Sequence, residues 1–189
     1  MLPEPIKKFV DVFAALPGIG PRQATRLAFY IFNQGKSAVA ETTKAIMGLD
    51  ALRACRVCFN STDGNEICGI CSDARRNHNL IAVVEKETDL ISLEKAKKFS
   101  GRYLVLGDLK RGETLNNIQK LRLKTIKNAD EVILAINPNG YGDLNAELIA
   151  QELKNVAKKI TRLGRGIPTG GEIEFADEET LGSALENRS

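Results

Sequence analysis

Leu80-Ile81-Ala82-Val83-Val84-Glu85 is an unbroken apolar run closed by an acid. A run this short, bounded by polar residues, describes a strand buried on both faces. Tyr103-Leu104-Val105-Leu106 and Val132-Ile133-Leu134-Ala135-Ile136 repeat the character, and a fourth strand is expected near Lys159–Leu163. Helix-forming stretches at 88–98, about 113–127 and 143–158 lie between them. Buried strands alternating with helices predict a parallel α/β sheet, and a last short helix is expected at 177–187.

Working outward toward the N-terminus, the pattern becomes helical. Ile6, Phe9, Val10 and Phe13 recur at helical spacing over 4–15, and Leu16-Pro17-Gly18-Ile19-Gly20-Pro21 interrupts them. Pro21 suits the first turn of a second helix, where its missing N–H costs nothing. That helix is expected to bury Ala24, Leu27, Ala28 and Ile31 and to carry Arg22 and Arg26, one turn apart, on the other face. Gly18 and Gly20 permit a tight hairpin with outward-pointing amides, and the helix start adds its positive dipole end. Together they form a phosphate site that reads no bases; the plainer reading is a helical hairpin with solvated arginines. A third helix is expected over about 37–51.

Between these regions stand the four cysteines of the chain, Cys55, Cys58, Cys68 and Cys71, spaced Cys-x2-Cys-x9-Cys-x2-Cys. Two such knuckles bring four thiolates to one tetrahedral Zn²⁺ with no open position, so the role is structural. The alternatives are reduced thiols or a redox pair. His78, beside Arg75 and Arg76, belongs to a basic stretch and is not expected to be a ligand.

Composition sets limits. The 189 residues carry a net charge of +3, which excludes a uniformly basic nucleic-acid coat but not a local patch. No run approaches the roughly 20 apolar residues of a membrane span, and residues 1–8 lack the apolar segment of a secretory signal. A cytoplasmic location is expected, and disulfides are not expected there.

Two further features leave alternatives open. Glu85 sits just past a strand's C-terminal end, where open α/β sheets place their sites. A metal-dependent phosphotransfer site would need an Asp-x-Asp after a later strand, but 132–136 is followed by Asn137-Pro138-Asn139. Capping or surface placement is therefore expected for Glu85 ahead of catalysis, and Asp143 is expected at a helix start as a cap. The glycine-dense loop 164–171, with Arg162 and Arg165, is either a contact for DNA or a partner, or a structural turn. With one histidine and no nucleophile–base word, covalent hydrolysis finds no residues.

The order of these parts resembles the RecR family of bacterial recombination mediators. The carriers are Leu16-Pro17-Gly18-Ile19-Gly20-Pro21 with Arg26-Leu27-Ala28-Phe29, Cys55-Arg56-Val57-Cys58-Phe59-Asn60, and the C-terminal word from Arg165 to Leu181. The resemblance implies a helix-hairpin-helix region at 1–54, a four-cysteine zinc finger at 55–78, a Toprim domain at 79–165 and an oligomerisation segment at 166–189. It implies DNA contact by Arg22 and Arg26, Zn²⁺ on the four cysteines, and a ring-like homo-oligomer, dimer or tetramer. It also implies work with RecO, in some lineages RecF, to help RecA displace single-strand-binding protein, in the cytoplasm and at the nucleoid. A Toprim fold that has lost its catalytic metal site fits the missing acid pair. The chain departs from the family in three places: Tyr141 and Asp143 replace the glutamates of an acidic word thought to engage RecO, the cysteine spacer is nine residues where eight is usual, and the 113–127 helix and its approach diverge locally. Glu85, Tyr141 and Asp143 are the candidate partner contacts. The rival readings are a Mg²⁺-dependent Toprim nuclease or primase-like enzyme using Glu85 and Asp143, and a zinc-ribbon adaptor that binds only protein.

Overall fold

The computed structural model describes residues 2–110 and 114–188. The chain divides into two compact units, Met1–Leu52 and Arg53–Ser189. In the first, α1 (Glu4–Phe13) and α2 (Pro21–Asn33) form a hairpin, followed by α3 (Lys36–Gly48) and a 3₁₀ turn, Leu49–Ala51. Phe9 and Phe13, one turn apart on α1, stack with ring centroids 3.9 Å apart. Ala24 and Ala28 are the buried residues of α2, while Leu27 and Ile31 are only half-buried.

The second unit opens with a two-stranded antiparallel ribbon, β1 (Arg53–Ala54) with β2 (Ser61–Thr62), and a short helical turn, α4 (Gly69–Ser72). The sheet follows: β3 (Asn77–Val84), α5 (Glu87–Lys95), β4 (Gly101–Val105), α6 (Asn117–Leu123), β5 (Ala129–Ala135), α7 (Gly140–Leu153) and β6 (Ala157–Arg162). A 3₁₀ turn, Ile173–Phe175, and α8 (Glu178–Glu186) complete it. The strand order is β4-β3-β5-β6, parallel throughout. The two sheet faces carry separate cores. Ile81, Val83, Leu104, Val132 and Leu134 pack with Leu123, Ala146, Ile149 and Leu153 of α6 and α7. On the other face Ala82, Val84, Tyr103 and Val105 pack with Leu90 of α5. Burial on both faces is the reason these strands read as unbroken apolar runs.

Two helices differ most from their expected spans. The helix expected at about 113–127 is observed only over Asn117–Leu123, and its expected start at 113 lies outside the described residues. A reciprocal capping box fixes the observed start: Asn116 Oδ1 accepts from the Gln119 amide and Gln119 Oε1 from the Asn116 amide. The helix expected to begin at 143 starts at Gly140 because Asn139, not Asp143, is its cap, accepting from the Gly142 amide at 2.9 Å. Among the described residues no helix is long and apolar enough to cross a membrane.

Candidate nucleic-acid interface and metal centre

The hairpin between α1 and α2 turns through Gly18, whose φ of 76° is a conformation that favours glycine. The Ile19 amide closes the turn on the Leu16 carbonyl at 3.1 Å. Among the described residues, the Gly18 and Gly20 amides donate to nothing. A Cβ on either glycine would meet nothing within 4 Å, so the ground before them is open. Arg22 and Arg26 are exposed on the first turns of α2, and neither is in an ion pair with a described residue. Open amides, a helix N-terminus and two free guanidinium groups together suit a phosphate.

The cysteines form the second site. The knuckle Cys55–Asn60 closes by Cys55 N–H to the Asn60 carbonyl (2.8 Å) and Phe59 N–H to the Cys55 carbonyl (2.9 Å), with Phe59 at a φ of 63°. Thr62, buried, donates to the Arg53 and Asn65 carbonyls and so fixes the ribbon. The Cys68 amide donates to Cys55 Sγ at 3.4 Å, which ties the second knuckle to the first. All four sulfur atoms lie within 4.8 Å of one another. A tetrahedron with bonds of about 2.3 Å has edges of about 3.8 Å, and Cys58 and Cys68 Sγ are 3.5 Å apart. The donor set therefore fits a four-thiolate metal. His78 is exposed and outside the cluster.

The thiols are uneven. Burial pushes the Cys55 thiol up, but amide donors from Cys58, Cys68 and Val57 outweigh it and bring it down to about 6. The Cys58 thiol is pushed up by its hydrogen bond with Cys71 and by burial. Burial also raises Cys68. Neighbouring sulfurs thus resist shared deprotonation, and a bound cation reverses that balance.

The metal module is tied to the sheet at two places. The Val105 amide of edge strand β4 donates to the Cys58 carbonyl at 2.8 Å. Arg76, leaving the module, grips Glu94 of α5 through both Nη atoms (2.9 and 2.6 Å) and donates to the Gly101 carbonyl. Arg75 is likewise held by Asp73, at 2.9 Å. The basic stretch before His78 is therefore neutralised from within the chain.

At the C-terminal edge of the sheet Glu85 departs from expectation. It is neither a helix cap nor a surface residue: it is 4% exposed, and its Oε1 accepts from the Leu109 amide at 3.1 Å. Two further buried polar side chains hold the same loop, Gln119 donating to the Asp108 carbonyl and Asn145 to the Lys110 carbonyl. Sequence reading missed both, although a polar residue on the inward face of an amphipathic helix is the available signal. Asp143 accepts from Arg162 and Arg165, and the first of these holds its carboxyl below the ordinary range. Arg165 also reaches Glu179 of α8. The arginines of the glycine-dense loop and of β6 are thus internal ties. Tyr141 lies half-buried in the first turn of α7.

A helix-hairpin-helix unit, a four-thiol module and a parallel Toprim sheet define a multi-part class of α/β protein. Comparison with known families resolves it further: a RecR helix-hairpin-helix matches residues 6–48, a Toprim domain 79–164, and a RecR C-terminal segment 166–189. Recombination protein RecR of Herpetosiphon aurantiacus is 40% identical over 196 residues, covering 98% of this chain and 94% of that protein. The chain belongs to the RecR family.

Proposed function

We propose that this protein is a DNA-binding recombination mediator in DNA repair, without catalytic activity of its own. The observation that carries the reading is the hairpin: the free Gly18 and Gly20 amides beside the unpaired Arg22 and Arg26. These groups bind phosphate and no base edge, so the contact is independent of sequence and weakened by salt. One hairpin supplies few contacts, and a ring-like homo-oligomer that repeats it raises avidity without new chemistry. The segment after 166 supplies the oligomer contact in this reading.

Zn²⁺ is the metal best matched to four thiolates in a closed shell, held by Cys55, Cys58, Cys68 and Cys71. Bound there it supplies folding free energy and no reaction. The non-enzymatic reading is supported by the occupied acids: Glu85 holds a backbone amide and Asp143 is engaged by two arginines. Family membership supports the partners, RecO with or without RecF, and the task of helping RecA displace single-strand-binding protein in the cytoplasm and at the nucleoid. With Glu85 buried and Asp143 engaged, we assign partner contact at the start of α7 chiefly to Tyr141.

The test is fluorescence anisotropy of labelled gapped DNA with zinc-loaded protein at two salt concentrations, without Mg²⁺. Saturable binding that weakens with salt is expected. Arg22→Ala with Arg26→Ala should lower the salt slope by about 1.8 on duplex DNA, for two phosphates lost. Unchanged affinity of that variant at low salt refutes the hairpin assignment, and absence of any binding moves the protein to the adaptor class. Nicking of plasmid DNA with Mg²⁺ or Mn²⁺ would instead establish the enzyme.

A further inference from the structure

We infer a second oxyanion site, for a phosphate group, in the cleft between the first cysteine knuckle and the face of the sheet. The cleft has a volume of about 210 Å³ and is lined by Arg56, Val57, Ile81, Arg102, Thr125 and Ile126, among others. Arg102, the second residue of β4, forms no hydrogen bond or ion pair with any described residue, and its Nε is shielded from solvent without an acceptor. Every other buried side-chain nitrogen or oxygen among the described residues has a partner. A buried donor left unpaired is costly, and a turn of the guanidinium that brings Nε to an oxyanion in the cleft relieves that cost.

The surroundings favour an anion over water alone. Arg56 lines the same cleft with its side chain 70% exposed, held by the exposed Glu66 at 3.1 Å. Lys124 and Lys127, exposed beside Thr125 and Ile126, are in no ion pair with a described residue. The volume is about seven times one water's share of the liquid, enough for a tetrahedral oxyanion. The Nε and Nη atoms of one guanidinium meet such a group in a fork. A nucleic-acid backbone and free phosphate share this chemistry. The site uses none of the hairpin residues, so it stands or falls apart from them.

The experiment follows the Arg102 Nε–Hε signal by NMR in the full-length, zinc-loaded protein titrated with inorganic phosphate, then with a single-stranded oligonucleotide. Both titrations are repeated in the Arg22→Ala, Arg26→Ala background. A saturable shift with phosphate is expected, and the same shift with oligonucleotide assigns the site to the backbone. In that case Arg102→Gln lowers the salt slope of oligonucleotide binding by about 0.7, and Arg102→Lys restores it in part. A shift with phosphate alone supports the site and assigns it to the free anion. A signal that moves with neither overturns the proposal, whatever the hairpin variant does to DNA binding.

Discussion

Glu94→Gln separates charge from shape at the joint between the metal module and the sheet. The Glu94 carboxylate accepts from Arg76 Nη1 and Nη2 at 2.9 and 2.6 Å and from Tyr103 Oη at 2.7 Å. The Arg76 and Glu94 side chains are 18% and 28% exposed. An exposed pair is worth about 0–1 kcal/mol, whereas removing one partner of a fully buried pair costs about 3–5 kcal/mol. Partial shielding puts this pair between those limits. Glutamine keeps the volume and one acceptor but turns an N–H donor toward Arg76, so the loss is that of the charge and one arm of the fork: about 1 kcal/mol from the ion pair and about 1 from weakening the Tyr103 bond. The expected total is about 2 kcal/mol.

Amide exchange measured on β4, followed by mass spectrometry, reports this unit without the helical one. A loss of about 2 kcal/mol appears as roughly thirty-fold faster exchange through global opening of the unit. The pH dependence fixes the cause. Arg76, and then the Tyr103 hydroxyl, hold Glu94 below its ordinary value of 4.5 against the opposing effect of burial. A carboxyl depressed in the folded state contributes stability that is complete above the unfolded value and disappears as pH falls through the folded one. The gap between wild type and Glu94→Gln should therefore be full at pH 7 and shrink below about pH 4. A gap under about three-fold at pH 7, or one that persists at low pH, refutes the ion-pair account.

Other perturbations follow from single contacts. Cys68→Ser should reduce metal content from one zinc per chain and expose 55–72 to protease while β3 and β5 stay protected; unchanged zinc by atomic absorption refutes the ligand set. Reloading of metal-free protein should weaken as pH falls, since the raised Cys58 and Cys68 thiols must release protons to bind. Gly101→Ala would place a Cβ 2.3 Å from the Leu80 carbonyl oxygen and 2.5 Å from the Phe99 ring. A backbone oxygen yields little, so a loss of about 3 kcal/mol or more is expected in chemical denaturation, and a loss below about 1 kcal/mol would refute the packing argument. Arg165→Gln removes the tie between Asp143 and Glu179, and exchange in α8 should rise a few-fold, about three. That difference should vanish at high salt and fade only at acid pH below the ordinary aspartate range, because Arg162 and Arg165 hold the Asp143 carboxyl down; a rise indifferent to salt would point to packing.

Three strands of the sheet were legible because β3, β4 and β5 are buried on both faces, so composition alone marks them: Ile81 to Val84 and Val132 to Leu134 admit no polar residue. The cysteine cluster was legible because ligand spacing is a local property. What could not be read were contacts between residues distant in sequence. Nothing in the word Asn137-Pro138-Asn139 says that Asn139 starts the helix early, or that Asp143 meets Arg162 and Arg165. Arg102 and Arg76 both stand near a strand start, and nothing local in the sequence says that Arg76 has Glu94 while Arg102 has no partner among the described residues.

Glu85 shows how far a position can be read without its role. Its place past β3 is the one at which α/β sheets gather ligands, and its burial is what a catalytic carboxylate would also show. The difference lies in what surrounds it. Glu85, Gln119 and Asn145 come from a strand end and two helices, and all three converge on the backbone of 108–110. The Glu85 oxygen that accepts this amide is held by the loop as much as it holds it, and Lys86 Nζ lies 3.8 Å from the same oxygen, so a cation approaching it meets an N–H and an ammonium already in place. The same geometry that fixes the loop therefore works against metal catalysis at this edge. Glu85→Gln, which keeps an acceptor for Leu109, should leave exchange of the Leu109 amide slow, whereas Glu85→Ala should release the loop and speed it; equal rates in the two variants would mean that Glu85 does not hold the loop.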